Sequence, residues 1–554
     1  MINLIKTISR QEWRFIILVS VVIIILTGLP YLTGYLMTPA GFIYDGLNSL
    51  TPGDNPIYYS YINQVKTGSI LVKDLFTSEN QPQGLLNVFW LFVGLVAKIF
   101  NFSPIFSFHL IRLLLIPIFV SVSYLFLSLI FYQSNLRRLS LIFLLFSAGL
   151  GAYIIAPLSI FDFSAKPGFG TPNDLWVPES ITFLAIYKSP HFIASLILMI
   201  SIFLLMILAI ERKKFFYSIG AGFLALIYFN FHPFYIPLVF GSLGLYLFCL
   251  ILKTKKILWR EIIQFGFLIL ISSPSIFYHF WTLANSEVLR QRAWQNVTLS
   301  PSLTFIILGY GLLWLFAAFG LYGLTKKRQW TKPLIFCASL LFFSLFLVTL
   351  PIQFQSRYLQ GLHLPLVVFS IHGLIFLKEK TLKDRFGLVF KKIWTNEFLL
   401  AAIFILFLAI SNLFNLTRDF YYFLVQPAAV KKYFYLPKDL ILAFEKLSEL
   451  PNNSIILSDV ETSLFIPGFS GQKVFVAHGI ETIDYFSKKL YAGWFFAADE
   501  NAEKKFEFLK KSGINYLLIS QENKKIGGFA PETKIYLKLV YQNSQAKIYQ
   551  VMAP

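Results

Sequence analysis

Long apolar runs separated by short polar segments dominate the hydrophobic pattern of this chain. About 20 consecutive apolar residues are needed for a helix to cross the hydrocarbon core of a bilayer. About eleven runs come near that length and predict membrane-spanning helices at 14–36, 105–132, 138–158, 190–210, 215–230, 236–253, 259–281, 302–324, 332–350, 360–377 and 396–417. A further run at 85–100 is shorter, and we predict that it forms a helix lying in the membrane interface.

The pattern changes in the last part of the chain. Short apolar runs predict buried strands at 454–458, 473–477 and 516–520. Helical patterns accompany them at 438–450 and 500–512, and a hairpin is predicted from 536–542 and 546–551. We therefore predict a transmembrane domain at 1–417, with a first outer loop at 37–104, and a small α/β domain at 418–554.

Composition supports the assignment to a membrane. Of the 554 residues, 56% are hydrophobic and 14% are charged, whereas a soluble domain carries about a quarter charged residues. The formal net charge of +20 would suit a nucleic-acid partner, but the basic residues form short clusters between apolar runs, as membrane topology requires. We therefore predict a polytopic α-helical membrane protein with no nucleic-acid partner.

The basic clusters also predict which side of the membrane each loop occupies. They lie near residues 6–14, 137–138, 212–214, 253–256, 326–328 and 378–392. If 85–100 does not cross, every cluster falls on one side, which the positive-inside rule makes cytoplasmic. The N-terminus is then cytoplasmic, in a cell membrane, and the loops 37–104, 159–189, 231–235, 282–301 and 351–359 are extracytoplasmic together with the tail. No cleavage site follows the first apolar run, so we expect it to be a retained span.

Acidic residues in the first outer loop are the first candidates for chemistry, at Asp45, Asp54, Asp74 and Glu79. Asp54 begins a helical pattern in which Pro56 occupies the first turn, so one interpretation is an N-cap. The other is a reactive carboxylate, whose basicity the helix N-terminus would lower and burial would raise. Asp74 and Glu79 lie in a polar stretch, and their alternative role is ordinary solvated loop charge.

Other outer loops supply polar candidates: Glu179, Lys188, His191, His232 and Arg357. A histidine at a helix end often serves as a cap or in close contacts within the core, and an arginine at the membrane boundary can snorkel. The planar fork of Arg357 also suits a lipid phosphate. Motifs for metal binding are missing from the sequence, so a divalent cation is a cofactor candidate only if acidic and histidine side chains converge in the fold.

The sequence resembles the GT-C superfamily of membrane glycosyltransferases, in particular the protein O-mannosyltransferases and lipid A aminoarabinose transferases. The likeness covers the first span, the outer loop with Asp54 and Tyr58, the helix with Phe89 and Trp90, and a second span with Arg112. It extends to the late span that begins near Arg357 and to an outer C-terminal domain. Asn55 follows Asp54 where many relatives carry a second acid.

The resemblance implies an inverting glycosyltransferase that moves a sugar from a polyprenyl-phosphate donor to a protein, lipid or glycan acceptor. It implies that Asp54 is the base, with Asp45 as fallback and Glu79 as a second carboxylate. Arg357, with Lys188 or His191, would hold the leaving phosphate, and Arg112, Tyr58, His232 and Glu179 complete the candidate set. The alternatives are a transporter or flippase, which would carry ionisable groups near the bilayer midplane, and a non-catalytic envelope scaffold.

Overall fold

The chain forms two compact units in a computed structural model that describes residues 2–50, 52–81, 83–159, 170–383, 397–425 and 434–552. Unit 1 comprises Met1–Pro30, Ile111–His279 and Val297–Tyr421. Unit 2 comprises Tyr31–Leu110, Phe280–Asn296 and Tyr422–Pro554. Unit 2 therefore combines the tail with the first outer loop and with a short later segment. The predicted domain border at 417 and 418 stays a prediction.

Helices make up most of the chain up to residue 424. Their bounds are α1 Ile2–Ile5, α2 Arg10–Leu36, α3 Asn55–Lys66, α4 Val88–Ile99, α5 Pro104–Ile130, α6 Ser134–Phe146, α7 Gly151–Ser159, α8 Thr182–Lys188, α9 Pro190–Arg212, α10 Phe215–Phe231, α11 Ile236–Thr254, α12 Trp259–Asn285, α13 Glu287–Gln295, α14 Leu303–Tyr310, α15 Leu312–Lys327, α16 Lys332–Thr349, α17 His363–Lys383, α18 Glu397–Leu408 and α19 Ile410–Leu424. Short 3₁₀ turns occur at Pro52–Asp54, Asn173–Leu175, Pro233–Tyr235 and Gln355–Gly361.

These helices confirm the predicted spans. Among the described residues, seven helices are long and apolar enough to cross a membrane, or up to ten when three bent pairs are each counted as one span. The bends are 83° between α14 and α15, 41° before α17 and 59° between α18 and α19. Helix α10 is apolar but shorter, with 17 residues. Each predicted run coincides with one of these helices or pairs, and the chain is an integral multi-pass membrane protein.

The run at 85–100 forms α4, a helix of 12 residues. At about 1.5 Å per residue it is too short to cross a bilayer. Its N-cap is Asn87, whose side-chain oxygen accepts a hydrogen bond from the backbone N–H of Trp90 at 3.1 Å. Helix α3 lies close against α4, because a Cβ built on Gly94 would lie 2.4 Å from the Cβ of Val65. The last part of the basic run at 378–392 lies outside the described residues.

The tail is a small α/β domain, as predicted. Its elements are β2 Tyr435–Pro437, α20 Lys438–Ser448, β3 Ile455–Leu457, α21 Val460–Ser463, α22 Ile466–Ser470, β4 Lys473–Val474, α23 Tyr485–Ala497, α24 Ala502–Lys511, β5 Tyr516–Ser520, α25 Gln521–Ile526, a 3₁₀ turn Pro531–Thr533, β6 Leu537–Gln542 and β7 Ala546–Val551. One sheet has the order β4-β3-β5-β7-β6. Its β4, β3 and β5 are parallel, and the hairpin β6–β7 is antiparallel.

A two-stranded sheet that the sequence did not predict ties the first outer loop to the tail. Strand β1, Phe42–Tyr44, pairs antiparallel with β2, with Tyr44 opposite Tyr435. Each strand has only three residues, which is too short for a periodic pattern. The first outer loop is therefore anchored to the tail, within unit 2, just before its first acidic residue.

Candidate active site

Asp54 lies at the start of α3, at the end of the 3₁₀ turn Pro52–Asp54. It occupies the N-cap position with φ −78° and ψ −31°, yet its side chain makes no capping hydrogen bond. About 39% of the side chain is exposed. Asp54 therefore lies at the N-cap position that the sequence indicates, but its carboxylate is in contact with solvent instead of bonding the helix backbone.

His478 from the tail faces this carboxylate. Its Nε2 lies 3.7 Å from Oδ1 of Asp54. On the other side of the ring, Nδ1 accepts hydrogen bonds from the backbone N–H groups of Ile480 at 3.3 Å and Glu481 at 3.4 Å. Because Nδ1 accepts, the ring proton is on Nε2 and points toward Asp54. The backbone of the tail thus fixes both the tautomer and the direction of the imidazole.

A buried charge network lies next to His478. Nη2 of Arg292, on α13, donates to Oε1 of Glu481 at 2.8 Å. Asp74 is 2% exposed, and its Oδ1 accepts the backbone N–H of Phe76 at 2.9 Å. Burial and the neighbouring Glu481 raise the pKa of Asp74 to about 7, although Arg292 acts in the opposite direction. Asp74 is therefore a buried acid rather than the solvated loop charge of the alternative interpretation.

Two glutamines hold the loop that carries Asp74. The side chain of Gln64 donates to the carbonyl of Lys73 at 2.9 Å and accepts its N–H at 2.8 Å. Gln81 does the same for Asp74, donating at 2.6 Å and accepting at 3.0 Å. Each amide satisfies a backbone donor and acceptor as a neighbouring strand would, which keeps an irregular loop ordered.

The raised pKa of Asp74 makes a prediction for stability against pH. Folded protein keeps this proton up to a pH of about 7, whereas the ordinary pKa is 3.8. The unfolded chain therefore binds fewer protons in this window, and stability is lost as pH rises through it. Asp74→Asn removes the titrating group. The melting temperature of the variant minus that of wild type should therefore increase as pH rises from 3.8 to about 7, and should stay constant above that. A constant difference across a pH series of thermal unfolding curves would contradict the assignment.

Glu79 forms an ion pair with the tail. Its Oε1 lies 2.5 Å from Nζ of Lys488, on α23, and its other carboxylate oxygen accepts the hydroxyl of Thr77. Nζ of Lys473 also donates to the backbone carbonyl of Glu79 at 3.2 Å. Glu79 is thus a tether between the first outer loop and the α/β domain, and its catalytic role stays a prediction.

Asp45 and Tyr58 lie in different surroundings from Asp54. Asp45 is fully buried, its Oδ1 accepts the backbone N–H of Leu47 at 3.0 Å, and burial raises its pKa well above the ordinary value. The ring of Tyr58 stacks on the ring of Trp90, with 4.7 Å between the ring centres. Tyr58 therefore contacts helix α4, which carries Trp90.

Unit 1 brings together most of the predicted phosphate-binding residues. The rings of His191 and His232 are 5.3 Å apart, and Arg357 and Lys188 are close enough to act electrostatically on His191. Arg357 forms an ion pair with Glu179, and its guanidinium lies 5.2 Å from the ring centre of Phe234. These outer-loop residues, far apart in sequence, are therefore close to one another in the fold, and their role at a phosphate stays a prediction.

Arg112 is buried in α5 and approaches the helix that carries Lys188. Its Nη1 donates to the carbonyl of Ile186 at 3.4 Å, and Ile186 and Lys188 both belong to α8. Lys188 itself is fully buried. Asp54, Tyr58 and the other first-loop candidates belong to unit 2, and the prediction that both groups line one cavity stays a prediction.

The divalent cation was a cofactor candidate that depended on convergence in the fold. In the parts of the chain that the structure describes, no three His, Cys, Asp or Glu side chains form a group that could hold a metal ion.

Sequence reasoning missed the tail side of the site, namely His478, Glu481 and Lys488, together with Arg292 from a different loop. The stretch HGIET follows a buried strand, where loop residues are often functional. Its proximity to Asp54 depends on a tertiary contact, which periodicity does not reveal.

Comparison with known proteins bears on the fold. No protein-family model matches the chain, and no curated protein matches its sequence. The solved structure of the oligosaccharyltransferase AglB from Archaeoglobus fulgidus, which holds an inhibitory peptide and a dolichol-phosphate, is similar with a TM-score of 0.50 and 14% identity, covering 93% of this chain and 70% of that chain.

Two further structures are similar. ArnT from Cupriavidus metallidurans in the apo state gives a TM-score of 0.51 at 9% identity and covers 96% of this chain and 98% of that chain. A mutant of the arabinofuranosyltransferase AftD from Mycobacteria gives 0.51 at 14% identity and covers 98% of this chain and 42% of that chain. At these identities the likeness shows the fold. The chain has the GT-C fold, which confirms the fold that the sequence resemblance implied.

Proposed function

We propose that this protein is a glycosyltransferase that moves a sugar from a polyprenyl-phosphate donor to a protein, lipid or glycan acceptor, with inversion at the anomeric carbon. The observation that carries the proposal is the carboxylate of Asp54, which begins a helix without capping it and faces an oriented imidazole. The GT-C fold supports the reaction class, and the dolichol-phosphate bound by AglB supports the kind of donor.

The composition of the two units supports an extracytoplasmic site. Unit 2 contains Tyr31–Leu110, Phe280–Asn296 and Tyr422–Pro554. Apart from the ends of membrane-spanning helices, nearly all of these residues belong to loops, or to the tail, that the sequence places on the outer side. The described basic clusters all belong to unit 1. We therefore place the N-terminus in the cytoplasm and the α/β domain outside, as the positive-inside rule predicts.

Asp54 acts as the general base in this mechanism. The acceptor hydroxyl or amine attacks the anomeric carbon from the face opposite the phosphate, and Asp54 takes its proton as the new bond forms. The N–H of His478 steadies the carboxylate in the direction that receives the proton. Glu79, which forms an ion pair with Lys488, holds the first outer loop in the position that receives the acceptor. Tyr58 contacts the sugar.

Leaving-group stabilisation falls to the cationic group in unit 1. As the bond between the anomeric carbon and the phosphate oxygen breaks, its electron pair moves to the phosphate, while the sugar gains oxocarbenium character. Arg357 and Lys188 supply positive charge and His191 a hydrogen bond to that phosphate, and preorganised donors of this kind contribute strongly to rate. Arg112, His232 and Glu179 position this group.

The proposal is tested by reconstituting the full chain in liposomes with a panel of radiolabelled sugars on polyprenyl phosphate. We expect the label to move from the lipid fraction to an acceptor in added membrane extract. Substrate-dependent flux of an intact lipid or glycan across the bilayer, with no transfer from any donor, would overturn the proposal and favour a transporter or flippase. The absence of both sugar transfer and lipid flux would also overturn the proposal and would favour a scaffold.

A further inference from the structure

Helix α23 carries an exposed apolar face. Phe486 is 81% exposed, Leu490 76% and Trp494 39%. Their spacing of four residues places them on one side of the helix, where Gly493 and Ala497 also lie. A soluble domain rarely exposes three large apolar side chains in a continuous helical stripe.

The other side of α23 is fixed to unit 2, so the apolar face cannot turn inward. Ala492, Phe495 and Phe496 belong to the buried core of the α/β domain together with Leu517 of β5. Lys488, on the same side, forms the ion pair with Glu79 described above. The exposed stripe is therefore held in one direction by contacts from both the sheet and the first outer loop.

Hydrogen bonds connect the beginning of α23 to the end of α13, the short helix that follows a membrane span. Helix α12 ends at Asn285, and the nine-residue α13 follows it directly. At the end of α13, the side chain of Gln295 donates to the carbonyls of Ile480 at 3.2 Å and Thr482 at 3.0 Å, and accepts the N–H of Asp484 at 3.2 Å. Asp484 is the N-cap of α23. Helix α23 thus begins about one short helix, roughly 14 Å of rise, from the end of a span.

Exposed tryptophans mark the same region as a membrane interface. Trp281 near the end of α12 is 52% exposed, and Trp294 on α13 is 69% exposed. Tryptophan and tyrosine concentrate where the bilayer meets water. Lys489, on the flank of the apolar stripe, has its Nζ 5.8 Å from the ring centre of Tyr485, and a flanking lysine suits lipid phosphates.

We propose that the face formed by Phe486, Leu490 and Trp494 docks on the lipid surface of the membrane, at the level where α12 ends. Continuity with the lipid-facing end of that span favours lipid over a protein partner. Docking fixes the height of the α/β domain above the bilayer, and with it the height of His478. The inference rests on the multi-pass membrane fold and is independent of the sugar-transfer reaction.

The test uses full-length protein in nanodiscs whose lipids carry brominated acyl chains. A fluorophore is attached at Leu490→Cys, in a background in which Cys249 and Cys337 are replaced by alanine. The comparison label is at Glu507→Cys on α24, whose side chain is 60% exposed. We expect bromine to quench the label at 490 several-fold more strongly than the label at 507. Equal quenching at the two positions would overturn the proposal.

Two added substitutions separate docking from other causes. Phe486→Glu in the Leu490→Cys protein should bring quenching down to the level seen at 507, whereas Ala502→Glu, at an exposed position at the start of α24, should leave it unchanged. Size-exclusion profiles verify that each variant is folded. Weak quenching combined with concentration-dependent energy transfer between labelled copies would show that a second copy covers this face, and would likewise overturn lipid docking.

Discussion

Asp54→Asn should reduce sugar transfer by a factor of about 10² to 10⁴, the usual contribution of a general base. The amide has nearly the shape of the carboxylate but does not take up the acceptor proton. Because the Asp54 side chain makes no capping hydrogen bond, the substitution should leave the melting temperature almost unchanged. Initial rates of transfer from the labelled lipid donor, with thermal unfolding of the same preparations, measure both quantities.

Asp484→Asn is the matched control for that substitution. Asp484 is also a helix N-cap aspartate whose side chain makes no capping hydrogen bond, and its φ of 53° suits asparagine. It should retain full activity and stability. Full transfer by Asp54→Asn would remove Asp54 from the role of base, and equal loss in both variants would show that the effect is not chemical.

Arg357→Ala should lower the turnover of the enzyme by a factor of about 10² to 10³, as expected when a preorganised group that stabilises developing charge is lost. The substitution also leaves Glu179 without its ion-pair partner, and the side chain of Glu179 is only 6% exposed. Removing one member of a buried pair is destabilising. The double variant Arg357→Ala and Glu179→Gln removes that uncompensated charge and should recover stability without recovering transfer.

A comparison arginine is available on α13. Arg290 pairs with Glu287 at 3.1 Å, and its side chain is 46% exposed, so Arg290→Ala should change stability by less than about 1 kcal/mol and leave activity intact. If the double variant of Arg357 and Glu179 transfers sugar at the wild-type rate, Arg357 serves only the ion pair. The melting temperatures and steady-state rates of the four proteins separate these outcomes.

The spans were predictable because lipid imposes a length and a composition on any helix that crosses it. Strand β5 was predictable for a different reason, because all five of its residues are buried and the first four of them are apolar. The 83° bend between α14 and α15 was not predictable from hydropathy, since it depends on Gly311 with φ +48°. Only glycine adopts such a conformation readily, and the apolar pattern continues across it.

The candidate site was predictable only from the side of the first outer loop. Asp54 could be selected because a carboxylate at a helix start in an outer loop is visible in sequence. Its partner His478 was not, because the contact joins segments at opposite ends of the chain. The same is true of Thr482, whose hydroxyl bonds the carbonyl of Phe76 across 406 residues. Neither hydrophobic period nor charge pattern carries information about such pairings.

The most direct test of the central claim is the release of polyprenyl phosphate from a sugar-loaded donor, followed by mass spectrometry in liposomes that contain either wild-type protein or Asp54→Asn. We predict that wild-type protein releases one polyprenyl phosphate for each sugar that reaches an acceptor, and that Asp54→Asn releases almost none. Intact donor with the wild-type protein, across all sugars tested, would contradict the account.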